Sequence, residues 1–316
     1  MMERILVQNS DCKLPDSLPE SEGLIVFYKG QEALYATETM NLKHTLSLLK
    51  ALRESDSDII ELFGLAEYIQ LEPAGNGLEA LIKMKLLLSR TEPVLNARIS
   101  LWKHYVYLAI NPAEFPFVKA TEFTDEDWFY LGPFRSRFYL YDLMELMQKL
   151  LKLPHCEVKQ GPCEKLDDGR CRGWCLLIKT EAESTAEDKE EQPNLQKLDA
   201  LLKEAYVHVD NGLLELLQQE KDKYENDLEF ARADAFSDNI SLLKRYREWL
   251  TFLYKVKNLN FVKDKISVKG GQLIHFKAEG REYNLPYVNV RYRSNELLAL
   301  NKNLLDEARI LYRESL

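Results

Sequence analysis

The sequence predicts an α+β protein. It should hold a small three-stranded sheet with covering helices, a cysteine segment braced by a metal, a helical hairpin arm, and a C-terminal β-hairpin followed by a helix. Three observations carry this expectation. GLIVFYKGQEALYATE (23–38) sets two β-rich runs around Lys29-Gly30, the pattern of a hairpin. NLKHTLSLLKALRE (41–54) places Leu42, Leu46, Leu49 and Leu52 on one side of a helix. Four cysteines, Cys156, Cys163, Cys171 and Cys175, follow another amphipathic helix at 138–153.

Within 1–98, ERILVQ (3–8) reads as a short edge strand and AEYIQLEP (66–73) as a third main strand. GLEALIKMKLLLSR (77–90) is a helix closed by Thr91-Glu92-Pro93. Residues 99–178 are strand-rich up to about 140 and then carry the helix and the cysteines. KTEAESTAEDKEEQPN (179–194) is an acidic linker. Two long helical segments, 195–209 and 215–256, suggest a hairpin in 195–256. The last stretch, 257–316, holds a hairpin turning at Gly270-Gly271 and a helix over NELLALNKNLLDEARILYRESL. Arg291, Tyr292 and Arg293 read as an alternating strand with a solvated basic side, or as a phosphate contact.

Across 316 residues the net charge is −9 and the apolar share 46%. The acidity argues against a generic nucleic-acid binder, since phosphate contacts want a basic surface. MMERILVQNSDCK lacks the apolar run of a secretory signal, and no stretch of about eighteen apolar residues suggests a membrane span. A cytoplasmic, reducing compartment is therefore expected. There, clustered cysteines point to metal or redox chemistry, while Cys12 stands alone as an ordinary thiol.

The cysteine spacing is C-x6-C-x7-C-x3-C. Four thiolates satisfy a tetrahedral zinc or the corners of an iron–sulfur cluster. Zinc usually takes two close CxxC knuckles, and only the last pair here is close; uneven gaps suit the larger 4Fe–4S cube at least as well. Four unrelated buried cysteines remain the plain alternative.

The segment YLGPFRS (130–136), the helix LMELMQKLLKL and the PC-x7-C-x3-C run together resemble the UvrC family of excision-repair endonucleases. The resemblance implies a 4Fe–4S cluster on Cys156, Cys163, Cys171 and Cys175, with zinc as the alternative. Cys156 sits closer to Cys163 than is usual in the family. The segment EALIKMKLLLSRTEPVLNARISLWKHYVYLAI (79–110) looks like the close of the family's GIY-YIG nuclease domain. LEFARADAFSDNI (228–240) resembles its UVR motif, LEFExAAxxRDxI.

A GIY-YIG site needs a tyrosine for the attacking water, an arginine for the phosphorane charge and a glutamate for one divalent metal. By the resemblance, the first tyrosine position is Ile25, in Gly23-Leu24-Ile25. The second motif keeps Tyr35 and loses its glycine at Thr37. The arginine position is Thr45 and the glutamate position Met84; a shift of one residue would give Lys83 or Lys85. Tyr28 and His44 read as a hairpin residue and a helix-surface residue. The domain thus reads as a pseudo-nuclease. The RNase H-like domain and helix-hairpin-helix units that the family carries further along are not expected in this sequence.

The UVR-like motif implies docking of Leu228, Glu229, Phe230, Asp238 and Ile240 onto a UvrB-like protein, although Ala231 and Ser237 replace charged positions. An amphipathic helix packed within the same chain explains the spacing equally well. Three functions follow from the resemblance. The first is a catalytically inactive repair scaffold that binds a partner, with DNA as a further candidate. The second is an endonuclease with an unorthodox metal site at Glu32, Glu38 and Glu79. The third is an iron–sulfur redox sensor associated with DNA.

Overall fold

A computed structural model of the protein describes residues 3–6, 18–124, 127–153, 164–169, 172–174, 192–209, 211–296 and 298–316. Up to residue 101 the order is β1 (Glu3–Leu6), β2 (Gly23–Lys29), β3 (Glu32–Thr39), α1 (Leu42–Leu52), α2 (Ser57–Leu65), β4 (Tyr68–Pro73) and α3 (Gly77–Arg90). Next come β5 (Val106–Ile110), β6 (Val118–Thr121), β7 (Phe129–Phe134), α4 (Arg137–Leu151) and the single turn α5 (Glu164–Asp167). Three helices follow: α6 (Gln192–Tyr206), α7 (Asn211–Asn226) and α8 (Phe230–Val256). The chain continues through β8 (Phe261–Lys263), β9 (Ile266–Lys269), β10 (Gln272–Ala278), β11 (Arg281–Asn284), β12 (Leu298–Ala299) and α9 (Leu305–Glu314).

These elements form two compact units. The first takes the chain up to Leu101 together with Asn258–Val288 and Asn303–Leu316; the second takes Trp102–Lys257 and Asn289–Lys302.

In the first unit an antiparallel sheet runs in the order β1-β4-β2-β3. The sheet thus has four strands where the sequence suggested three main ones. Glu3–Leu6 pairs along β4, with Ile5 opposite Ile69, and satisfies backbone groups that an open β4 edge would leave to solvent. One face packs under α1 and α2, where Leu42, Leu46, Leu49, Ile59, Leu62 and Phe63 meet Ile25, Phe27, Ile69 and Leu71. Each such fully buried leucine contributes about 2 kcal/mol. Both helices start at side-chain caps: Asn41 accepts the His44 N–H, and Asp56 accepts those of Asp58 and Ile59. Helix α2 is absent from the sequence reading.

Helix α3 covers the other face, its Met84 packing with Leu24, Val26, Ala33 and Ala36. The outer side of α3 is covered in turn. Leu81 meets Ile266, Val268, Leu273 and Phe276 of a second antiparallel sheet, β11-β10-β9-β8, and Ile310 and Leu311 of α9. The predicted Gly270-Gly271 turn joins β9 to β10, with φ of 56° and 71° at the two glycines. The C-terminal helix is shorter than the sequence suggested. It starts at Leu305, because Leu298 and Ala299 are drawn off as β12 to pair in parallel with Leu131 and Gly132.

The second unit is built on the sheet β12-β7-β5-β6. Phe134 at the end of β7 stacks with Tyr139 of α4 and Tyr246 of α8, at centroid distances of 6.1 and 6.0 Å. The Tyr246 hydroxyl donates to the Tyr206 carbonyl at 2.6 Å, tying α8 to α6. The second long helical segment of the sequence reading is two helices, α7 and α8. The chain reverses at Leu228, whose φ of 59° is left-handed. The alternating strand expected around Arg291–Arg293 is irregular backbone instead. Among the described residues no helix is long and apolar enough to cross a membrane.

Candidate functional site

The hairpin β2–β3 and the helices α1 and α3 carry the positions at which nuclease chemistry was sought. Ile25 is fully buried beneath α1 and α2. Tyr35 shares that core, its ring 6.1 Å from Phe27 and tilted 58°. Burial pushes its phenol well above the usual tyrosine range, against a hydrogen bond with Thr37 that works the other way. It is therefore a neutral packing group at any ordinary pH. Thr45 is buried too, and its hydroxyl shares a 2.6 Å hydrogen bond with that of Thr39. Met84 lies on the opposite face of the sheet. Ile25 and Tyr35 thus sit in the core on one side and Met84 in that on the other, and Thr45 is buried on α1.

The neighbours of Met84 are committed elsewhere. Lys83 pairs with Glu79 at 2.8 Å and donates to the Pro73 carbonyl. Lys85 pairs with Glu307 of α9 at 2.6 Å, and the second Glu307 oxygen accepts the Leu273 N–H at 2.7 Å. Glu38 faces this pair and is half-buried. Burial raises its carboxyl pKa; Lys85 opposes that shift, while Asp306 and Glu307 add to it. Glu32 is exposed at the hairpin turn opposite Lys29, and Glu79 caps the start of α3 by accepting the Gly75 N–H. Among the described residues no three of His, Cys, Asp and Glu gather to hold a metal ion. Tyr28 stacks on Tyr68 at 5.1 Å, and His44 is exposed on α1.

One residue that organises this region escaped the sequence reading. Asn96 lies along the outer edge of β3, accepting the Ala36 N–H at 2.8 Å and donating to the Ala36 carbonyl at 2.9 Å. Its side chain imitates a neighbouring strand beside Tyr35, and the Leu95 N–H adds a bond to the Leu34 carbonyl. The Pro-x-x-Asn sequence was visible, but nothing local tells an edge clamp from a loop polar group.

At the tip of the α7–α8 hairpin, Leu228 and Phe230 are 72% and 61% exposed, and Glu229 pairs with Arg232 at 2.8 Å. Asp238 is exposed, whereas Ile240 is buried. The hairpin packs its own interior through Leu217, Ala233 and the stacked Tyr224–Phe236 pair. Part of the predicted docking face is therefore used internally, and the tip is not. Cys12, Cys156, Cys163, Cys171 and Cys175 lie outside the described residues. Trp174, between the last two, is buried, and its indole N–H has no hydrogen-bond partner among the described residues.

No protein-family model and no solved structure matches the chain. Curated sequences do. UvrABC system protein C of Methanothermobacter thermautotrophicus is 25% identical over 239 residues, 75% of this chain. The protein of that name from Thermus thermophilus is 24% identical over 235 residues, 72% of the chain. That of Fervidobacterium nodosum is 25% identical over 170 residues, 52% of the chain. The chain is UvrC-like. It spans 39, 38 and 30% of the length of these three relatives. In this UvrC-like chain Ile25, Tyr35, Thr45 and Met84 are packed away, and the apolar tip of the α7–α8 hairpin faces solvent.

Proposed function

We propose that the protein is a UvrC-like component of nucleotide excision repair that does not cut DNA and acts in the cytoplasm by binding. Its partner is a UvrB-like protein, engaged through the tip of the α7–α8 hairpin, with DNA as a further ligand. The observation that supports this most is the burial of all four positions, with Ile25 and Tyr35 in the core on one face of the sheet, Met84 in that on the other and Thr45 buried on α1. Phosphodiester hydrolysis needs a held cation and a charge-neutralising group beside the scissile phosphate. Neither an isoleucine, a buried threonine nor a methionine supplies one.

The cysteines serve this reading as structure. Cys156, Cys163, Cys171 and Cys175 would hold a 4Fe–4S cluster or, alternatively, a zinc ion, which cross-links the segment after α4. The Trp174 indole N–H, which has no hydrogen-bond partner among the described residues, suits a site with a sulfur acceptor nearby.

The decisive experiment is a nicking assay on supercoiled and lesion-bearing duplex DNA, with magnesium or manganese, with and without the excision-repair partners. No cleavage is expected beside an active UvrC control. Cleavage that co-purifies with the protein and is lost on changing Glu32, Glu38 or Glu79 to glutamine would replace this reading with that of a working endonuclease.

A further inference from the structure

The second unit carries a cavity of about 340 Å3 that the reading above does not use. Its walls come from two distant parts of the chain, 102–124 and 290–302. Three features of its lining bear on what it could hold.

The first is aromatic surface left in the open. Phe123 stands at the rim and is 67% exposed, Trp102 is half-buried, and Tyr107 forms an inner wall. The second is rigidity. The Tyr107 hydroxyl donates to the Leu300 carbonyl at 2.9 Å, and the Tyr292 hydroxyl accepts the Asn301 N–H at 3.3 Å. Lys257 covers the Tyr292 ring with its ammonium 3.5 Å from the centroid. The third is charge: Glu122, Glu296, Arg291 and Lys302 all line the cavity, and the Lys302 ammonium lies 5.7 Å from the Tyr107 ring centroid. Glu122 is taken by Arg137 at 3.0 Å and Glu296 by Arg293 at 3.2 Å. Arg291 and Lys302 then have no ion-pair partner among the described residues; Lys302 donates only to the Lys103 carbonyl, at 3.2 Å. Burial lowers the Lys302 pKa; Arg137 adds to this, while Glu122 opposes it. A bound anion would relieve that strain on the charge.

We propose that this cavity binds one nucleotide unit, with the base against Trp102 and Phe123 and the phosphate between Arg291 and Lys302. Sites for small ligands span roughly 300 to 1,000 Å3, so this one has room for a single nucleotide and none for a stacked duplex. Exposed aromatic faces accept any base by stacking, and a guanidinium beside an ammonium suits a phosphate. The same chemistry is offered by a free mononucleotide and by an unstacked unit of a single strand. The site stands on residues of the second unit alone and does not depend on the loss of nuclease chemistry.

The test uses the full chain, titrated with dTMP by calorimetry and with an end-labelled oligo(dT) by fluorescence anisotropy. Both should bind, and Phe123→Ala, Arg291→Ala and Lys302→Gln should each weaken binding about tenfold. Lys277→Ala, on the C-terminal sheet, should leave it unchanged. Circular dichroism and thermal unfolding confirm that each variant is folded, and Trp102→Phe should retain most of the affinity. Binding of dTMP without the oligonucleotide assigns the site to free nucleotides, and the reverse assigns it to a strand. The proposal is overturned by no binding of either at millimolar concentration, by folded variants that bind like the wild type, or by inorganic phosphate competing as well as dTMP.

Discussion

Ile25, Tyr35 and Thr45 in the first unit are each under 10% exposed, whereas Leu228 and Phe230 in the second are 72% and 61% exposed. Both sets are positions that the resemblance to UvrC marks as functional. By that resemblance Ile25 stands at a tyrosine position, Tyr35 is retained and Thr45 stands at an arginine position, and all three are buried. The second set keeps large apolar groups in water, although a serine or lysine at a helix turn would serve folding as well. The exposed pair is available to a partner, as the proposed docking requires, and the buried set is not.

The sharpest way to break this contrast is to place a glutamate at the position that the resemblance assigns to the metal ligand. Met84→Glu would bury a carboxylate among Leu24, Val26, Ala33 and Ala36 without a partner. A loss of about 3 kcal/mol in urea unfolding is expected, with no gain of DNA cutting. A stable variant that nicks DNA would mean that the face is a dormant site and not a core. The next effect concerns the clamp that fixes β3. Asn96→Ala removes two hydrogen bonds to Ala36 and should cost about 2 kcal/mol, read as a lowered Tm by thermal unfolding.

A smaller, pH-dependent effect follows from Glu38. Burial raises its folded-state pKa, so above the ordinary carboxylate value the native protein retains a proton that the unfolded chain has released. Its contribution to stability therefore falls as pH rises through that window. Glu38→Gln should raise the urea midpoint at pH 7 and match the wild type near pH 4; an equal change at both values would contradict the assignment. The least effect on folding is expected at the hairpin tip. Leu228→Ser with Phe230→Ser should shift stability by no more than about 0.5 kcal/mol. Affinity for a UvrB-like protein, measured by calorimetry, should fall about tenfold or more. Unchanged affinity would remove the tip from the interface.

Local pattern made some of this legible. The β2–β3 hairpin follows from β-rich runs around Lys29-Gly30, and α3 follows from its leucine spacing and the nearby Pro93. Short elements stabilised by distant partners carry no such signal. β1 is defined by β4 some 60 residues away, and β12 by β7. The break at Leu228 interrupts a sequence whose helical periodicity runs straight through it, because a single left-handed residue changes direction without changing composition. Asn96 and the Lys85–Glu307 pair likewise depend on contacts that spacing does not encode. Ile25, Tyr35 and Met84 were singled out by resemblance, but only the packing places the first two on one face of the sheet and the third on the other. The aromatic and basic cavity joins segments nearly 200 residues apart, so neither half announces it.

The route of the chain through the first unit has a consequence for synthesis. Helix α3 meets α9 through Leu81, Ile310 and Leu311. Between the end of the first segment at Leu101 and the start of α9 at Leu305 lie about 200 residues. At 5 to 20 residues per second, roughly 10 to 40 s separate their emergence from the ribosome. For most of that interval, until β8–β11 have been made, the apolar outer side of α3 has no partner within its own unit. The nascent protein is then most exposed to misassembly and most in need of chaperone protection.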